Sequence, residues 1–399
     1  MTTRAVCWCG STELAAFSHE YGRCAACETL VSALMPGPEI GRVVDEERDF
    51  YGREYWFSHQ EKELGLPSIL ERARTDLPER CLYWIRTLLK YKPPPARLLE
   101  LGSGHGGFVA LTTQAGYEAT GLEVSPWVVK FAYDTFQVPI LLGPVEDHQL
   151  EPASLDVIVL MDLLEHLGQP FETIRHCLTL LKPDGVLLIQ TPCYVEGRSY
   201  EAMVARGERF LEELQPKEHL YLFSQRSFHE LFRRLAVDHI VFEPPIFAEY
   251  DMFAVVSRAP LITHGVEQIE QALAATPGGR MVQALVDVDG QLERLTQRYS
   301  VAEADRVARL EVILEQGRRA SELEARIGWL EAEPEARLRE ANAERDAQEQ
   351  QIRTIMAQMR TLQQIVRAVR ASQVYRLLRR MGRWGWIEDA LARPPAPEE

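Results

Sequence analysis

The chain has 399 residues, 46% of them hydrophobic and 26% charged, which suits a soluble protein with a full-sized core and an accessory region, because domains usually run to ~100–200 residues. A formal net charge of −15 excludes a general nucleic-acid binder, which needs a basic face for phosphates. No apolar run approaches the ~20 residues that cross a bilayer, and "MTTRAVCWCG" lacks the apolar stretch of a secretory signal, so a cytoplasmic location is expected.

Residues 1–35 hold four of the seven cysteines: Cys7 and Cys9 in "CWCG", Cys24 and Cys27 in "CAAC". An odd total without a signal is unlike a disulfide framework. Two cysteine pairs on short turns can offer four thiolates to a tetrahedral zinc, with Gly10 easing the first turn. Cys24-x-x-Cys27 is an ordinary zinc spacing and Cys7-x-Cys9 a tighter one, so reduced, unliganded cysteines remain the alternative. No βαβ pattern surrounds the pairs, which disfavours a redox role.

Within a helical segment, 36–95, residues 61–91 place Leu70, Ala73, Leu77, Cys81, Trp84, Ile85 and Leu88 at helical spacing, with Pro78 bending or dividing the helix. "KPPPA" then marks a boundary. Across 96–260, short apolar runs at "RLLEL", "EATGLEV", "PILLG", "LDVIVLM" and "GVLLIQT" predict buried parallel strands, separated by helices near 106–115, 126–136 and 170–181. Ser125-Pro126 predicts a helix start, serine as cap and proline at the first position. "VDHIVFE" and "MFAVVSR" add an antiparallel pair. The fold class is therefore α/β, a doubly wound, seven-stranded Rossmann-like sheet with a small zinc-ribbon-like module before it.

From 261 to 371 the composition turns to Glu, Arg, Ala, Gln and Leu. Leu285, Val288, Leu292, Leu295, Tyr299 and Ala302 alternate three and four apart, as do Ile352, Ile355, Met359, Leu362, Val366 and Val369. This predicts a coiled coil with a break near 334, where Pro334 follows Gly328, and self-association as a homo-oligomer to cover the seam. Residues 372–399 predict a basic amphipathic helix and a disordered tail. Arg367, Arg370, Arg376, Arg379, Arg380 and Arg383 interleave with apolar residues, which suits peripheral contact with an anionic membrane surface or a capping helix of the oligomer.

"LLELGSGHGGF" fits G-x-G-x-x-G through Gly102, Gly104 and Gly107, with Glu123 where a ribose-binding acid would fall. A dinucleotide would set its pyrophosphate on that turn. Glu100, two residues before Gly102, would repel it; a carboxylate there suits a ligand carrying an ammonium and a sulfonium. An NAD-dependent sugar oxidoreductase is disfavoured for that reason.

This loop, followed in order by "GLEVSP", "LDVIVLMDLLEHL" and "LKPDGVLLIQTP", resembles the motif set of class I S-adenosylmethionine-dependent methyltransferases over residues 96–260. The resemblance implies that Gly102, Gly104 and Gly106 let the backbone approach S-adenosylmethionine, with Glu100 near its methionine end. It also implies that Glu123 accepts from both ribose hydroxyls, that Val145 and Glu146 in "GPVED" line the adenine, and that Met161 and Asp162 face the cofactor.

Transfer from a sulfonium to a hydroxyl needs alignment and a base. His219 in "KEHLYLFS" is the preferred base and His166 in "DLLEHL" the second candidate. Asp162, Glu165 and His166 resemble a magnesium cluster of some quinone-type O-methyltransferases, though magnesium is not expected here. Tyr51, Tyr55, Trp56 and His59 sit where related enzymes place a lid, and Tyr55 joins the candidate catalytic set. The cysteine module resembles that of bacterial sugar C-methyltransferases, without their C-terminal domain. "SQVYRLLRRMG" resembles tails in surface-polysaccharide assembly. Together these imply O-methylation of a glycan or nucleotide-sugar acceptor. The alternatives are a cofactor-binding scaffold without turnover and a quinone-type O-methyltransferase.

Overall fold

The computed structural model describes residues 6–35, 41–331 and 336–380. The chain forms two compact units, 1–290 and 291–399.

In the first unit the strands are β1 (Leu14–Ala16), β2 (Tyr21–Cys24), β3 (Leu30–Ser32), β4 (Arg97–Leu101), β5 (Glu118–Glu123), β6 (Ile140–Leu142), β7 (Leu155–Met161), β8 (Leu181–Pro192), β9 (Tyr221–Leu222), β10 (His239–Glu243) and β11 (Asp251–Ser257). Seven of them make one sheet in the order β10-β11-β8-β7-β4-β5-β6. β4 to β8 pair in parallel, and β11 runs antiparallel to both β8 and β10. The five apolar runs and the closing pair therefore stand where the sequence predicts strands.

The central strands are mostly apolar because both faces are covered. Leu98, Val157, Val159 and Leu188 pack with helices Leu82–Tyr91 and Gly107–Ala115. Their neighbours Leu99, Ile158, Leu160 and Ile189 pack with helices Pro170–Leu180 and Gln225–Arg234. That alternation is the period of two of a pleated strand.

Three local expectations are corrected. Helix Pro126–Phe136 begins at Pro126 as expected, but the Ser125 hydroxyl caps nothing; the Glu46 carboxylate accepts from the Trp127 N–H instead. The segment 61–91 is divided at the turn that carries Pro78, one of the two expected outcomes, but its buried face differs from the one the spacing predicts. A π-helix, Tyr55–Glu63, precedes helix Ile69–Asp76, and a π-turn at Leu77–Cys81, carrying Pro78, joins that to Leu82–Tyr91. A π-turn inserts residues relative to α-helical phase, so the buried face before it is Ile69, Ala73 and Asp76, and Leu70 is exposed. The amino-terminal module, finally, does not stand alone: β1, β2 and β3 form an antiparallel sheet whose fourth strand is β9, from beyond residue 220.

The second unit contains long helices. Helix Pro277–Glu331 runs into it, and Ala336–Ala371 and Gln373–Arg380 follow. Leu292, Tyr299, Arg306, Ile313, Ala320 and Ile327 recur every seven residues and are buried or half-buried, as are Ala341, Gln348, Ile355 and Leu362. Leu292, Leu295 and Tyr299 share an apolar cluster with Tyr375, and Val312 and Ile313 line one groove with Gln358 and Leu362. The two long helices thus lie antiparallel, and the predicted seam finds a partner within its own chain. Leu285 and Val288, placed on that seam by spacing, are exposed. The break near 334, and Arg383 with the tail after it, lie outside the described residues, while Arg367 and Arg370 lie in helix Ala336–Ala371 and Arg376, Arg379 and Arg380 in helix Gln373–Arg380. Among the described residues no helix is long and apolar enough to cross a membrane.

Candidate active site

The parallel strands all end on one side of the sheet, and the turns that follow them build two connected cavities there. Gly102, Gly104 and Gly106 adopt left-handed φ of 67°, 48° and 79°, open to glycine at little cost. A Cβ on Gly104 would meet only Trp56, at 3.7 Å, and Gly104 borders both cavities. Gly106 departs from its expected role. It borders neither cavity, and its Cα faces Ala132 and Val138, where a Cβ would come within 3.0 and 3.1 Å. It serves the packing of the loop against helix Pro126–Phe136.

The smaller cavity, about 180 Å³, is lined by Glu123, Val145, Glu146, Leu122, Leu163 and Leu167 among others. Glu123, at the end of β5, is buried and accepts three backbone N–H groups: Gly104 at 3.1 Å, Val124 at 2.8 Å and Ser125 at 3.0 Å. Burial pushes its carboxyl up and those three bonds pull it back. Glu146 accepts from the Thr173 hydroxyl at 2.5 Å. An apolar slot with a carboxylate at one end suits a nucleoside, its base between aliphatic walls and its ribose on the acid.

The larger cavity, about 710 Å³, adjoins the first; Tyr55, Trp56, Gly102, Gly104, Asp162 and His166 border both. Glu100 and Met161 line the larger one only. Glu100 is 4% exposed and its Oε2 has no hydrogen-bond partner among the described residues. Burial, and then the Glu123 charge, hold its carboxyl well above the usual carboxylate range. A dry carboxyl with one unpartnered oxygen beside the glycine turn fits an ammonium-bearing ligand. Asp162 stands at the junction with φ of 52°, a conformation aspartate tolerates better than most residues. It accepts from Arg80 at 2.8 Å and Gln190 at 3.0 Å.

His219 and His166 meet here, ring centroids 4.9 Å apart. His219 Nδ1 lies 2.7 Å from the Glu213 carbonyl. A carbonyl only accepts, so Nδ1 carries the proton and Nε2 keeps its lone pair. Burial pushes this imidazole below its usual pKa, and it stays neutral. His166 is committed differently: burial lowers it, and its Nδ1 lies 3.0 Å from the Tyr51 hydroxyl. That nitrogen is engaged by Tyr51 and not by a backbone carbonyl. Tyr55 is buried, accepts from Gln60 Nε2 at 2.9 Å, and burial holds its phenol far from ionising. It is a wall, packed 5.0 Å from Tyr51 and 5.2 Å from Trp56.

Ligand atoms of Glu165, His166 and His219 lie within 4.8 Å of one another. One carboxyl, held up by burial and bonded to Thr191 at 2.8 Å, and two imidazoles form a poor set for magnesium, which takes oxygens. Asp162, the third member expected, is paired with Arg80.

The four cysteines do come together. Cys7 and Cys27 sulfurs are 3.4 Å apart, Cys9 and Cys24 sulfurs 3.5 Å, and all four lie within 4.8 Å. These are near the edges of a tetrahedron with ~2.3 Å metal–sulfur bonds. The contact between Cys7 and Cys27 lowers the Cys27 thiol and raises that of Cys7, so the two act as one coupled pair. The donor set fits zinc.

Several side chains of the larger cavity escaped sequence reasoning. His105 Nε2 is 3.1 Å from Asp76, and its Nδ1 accepts from the Gly107 N–H, tying helix Ile69–Asp76 to the glycine loop. The "GHGG" in the loop was the available signal. Glu213, pushed up to about 7, and Asp251, to about 9, owe this first to burial and then to Asp162. Glu213 is brought in by the 3-10 helix Arg209–Glu213 and Asp251 by β11, neither of which any motif marks.

Residues 73–235 match the family model of a methyltransferase domain. The matched span contains His166, His219, Glu100, Glu123 and Asp162; Tyr55, Asp251 and the four cysteines of the amino-terminal module lie outside it. A ubiquinone biosynthesis O-methyltransferase of Xanthomonas campestris pv. campestris (strain B100) is 33% identical over 130 residues, 31% of this chain and 54% of the relative. One of Xanthomonas oryzae pv. oryzae (strain PXO99A) is 34% identical over 128 residues, 31% of this chain and 53% of the relative. The chain spans about half the length of these curated relatives. Magnesium protoporphyrin IX methyltransferase from Synechocystis PCC 6803, solved with SAH, has a TM-score of 0.38 and 14% identity, covering 53% of this chain and 98% of that one. At that level the likeness does not bear on the site.

Proposed function

We propose that the protein is an S-adenosylmethionine-dependent O-methyltransferase of a small hydroxylated acceptor. The observation that carries the reading is the pairing of the nucleoside-shaped slot on Glu123 with the neighbouring cavity, where neutral His219 offers Nε2. When bound, the cofactor supplies an electrophilic methyl group on sulfur. The protein's share is placement and proton transfer. Glu123 holds the ribose, Glu100 the ammonium, and Gly104 leaves room under Trp56. His219 Nε2 takes the acceptor's hydroxyl proton while Nδ1–H stays on the Glu213 carbonyl, which steadies the imidazolium. Alignment of acceptor and methyl is worth ~7–11 kcal/mol of the barrier.

For the acceptor, the curated relatives favour a quinone-type phenol. A second reading, a glycan or nucleotide sugar, is supported by the larger cavity itself, where Asp162, Glu213, Asp251 and Arg80 offer hydrogen bonds to a ring with several hydroxyls. Structural zinc on Cys7, Cys9, Cys24 and Cys27 completes the proposal. The test is calorimetric titration of S-adenosylmethionine, S-adenosylhomocysteine and NADH, followed by methyl-transfer assays on catechols and on simple sugars. Binding of the adenosyl ligands without NADH is expected; silence from both would overturn the reading.

A further inference from the structure

Residues Leu214 to Leu220 carry His219 without helix or strand, so their backbone polar groups need partners elsewhere. The amino-terminal sheet provides several of them. The Tyr21 phenol donates to the His219 carbonyl at 2.8 Å, the Ser32 hydroxyl to the Pro216 carbonyl at 2.7 Å, and the Ser32 N–H to the Leu220 carbonyl at 3.0 Å. β3 then pairs with β9, Leu30 opposite Leu222 and Val31 opposite Tyr221. Tyr21 is 2% exposed and burial keeps its phenol protonated, a permanent donor.

The same strand is fixed at its far end by the cysteine cluster. Tyr21 and Cys24 are the two buried ends of β2, and the Cys24 sulfur meets that of Cys9. Phe17, Tyr21, Leu30 and Leu222 share one small core, and the Trp8 ring, in the turn between Cys7 and Cys9, stacks at 6.4 Å on both Phe171 and Phe223. The cluster, β2 and the histidine loop form one continuous bonded path.

We propose that Tyr21 is a positioning residue for methyl transfer. Its phenol fixes the backbone of His219, and the four-cysteine centre anchors Tyr21 through β2. This rests on His219 as the base. The Glu213 carbonyl selects the tautomer from the ring side and Tyr21 holds the main chain from behind, so both are needed to keep Nε2 on the larger cavity.

The test uses the full-length protein labelled with ¹⁵N-histidine and long-range proton–nitrogen spectra, which read the tautomer directly. The wild type should show one set of His219 signals with the proton on Nδ1. Tyr21→Phe should give a mixture of tautomers and a shifted titration of His219, with the affinity for S-adenosylhomocysteine unchanged within about twofold and turnover lowered by roughly 10- to 100-fold. His219 signals that superimpose on the wild type would overturn the proposal. Should Tyr21→Phe fail to fold, Ser32→Ala removes the neighbouring bond and should produce the same change. Cys24→Ser should reproduce the tautomer mixture; an unmoved His219 there would remove the cysteine centre from the path. A wild type that binds no adenosyl ligand would sink the proposed function, and the tautomer result would be unaffected by it.

Discussion

Replacing Glu123 with alanine removes an acceptor that three backbone N–H groups share at 2.8–3.1 Å. Two separate losses follow. In the free protein the N–H groups of Gly104, Val124 and Ser125 lose their partner. An unsatisfied buried donor costs about 1–3 kcal/mol, and water entering the vacated volume from the adjoining cavity will recover part of it. A net destabilisation of about 2–3 kcal/mol is expected, read as a lower midpoint in urea with an unchanged slope. In the complex, the ribose hydroxyls lose bonds to a charged acceptor, each worth about 1.5–3 kcal/mol. Taking the lower figure for both hydroxyls gives about 3 kcal/mol, a weakening of roughly 150-fold at 1.4 kcal/mol per decade. Titration calorimetry with S-adenosylhomocysteine at a temperature where the variant is fully folded separates the two. Affinity retained within threefold in a folded variant would refute the assignment of the smaller cavity to the nucleoside.

Three further outcomes are expected. Because His219 lies below its ordinary value, near 6.5, it remains the neutral base well into mildly acid solution; kcat should hold through pH 6.5 and fall only as the pH drops through the lowered pKa, and His219→Asn should cost ~10²–10⁴ in kcat with cofactor affinity unchanged. An acid limb above pH 6.5 would contradict the burial argument. Protein purified without chelator should carry one zinc per chain, and a strong chelator should lower its thermal midpoint; zinc near zero by elemental analysis would remove the metal. Gly106→Ala, placing a Cβ 3.0 Å from that of Ala132 at a φ of 79°, should destabilise by about 1–3 kcal/mol yet leave cofactor affinity intact in the folded fraction, whereas an affinity loss without a stability loss would return Gly106 to the cofactor.

The sheet was legible because its central strands are buried on both faces, so they appear as short apolar runs, and Glu100, Glu123 and Asp162 could be placed by counting from strand ends. What sequence could not supply was phase and company. The π-turn at Leu77–Cys81 rotates the helix before it, so Ile69 is buried in place of Leu70. Gly106 reads as part of the glycine motif, and only the approach of Ala132 and Val138 reveals its packing duty. His166 and His219 look equivalent as letters; Tyr51 and the Glu213 carbonyl separate them. Asp251 and Glu213 join the cavity from segments that carry no motif. The seam of the long helices was visible as spacing, but its antiparallel partner in the same chain was not.

The pairing of β3 with β9 also bears on how the chain comes to be folded during its synthesis. Cys7, Cys9, Cys24 and Cys27 leave the ribosome well before the strand that completes their sheet, which is made about 190 residues after Leu30, some 10–40 s later at ~5–20 residues per second. Through that interval the four thiols depend on β1, β2 and β3 alone. Capture of a metal ion in those seconds would decide whether a nascent chain presents a finished edge for β9 to join, or an open one that pairs with a neighbouring chain instead.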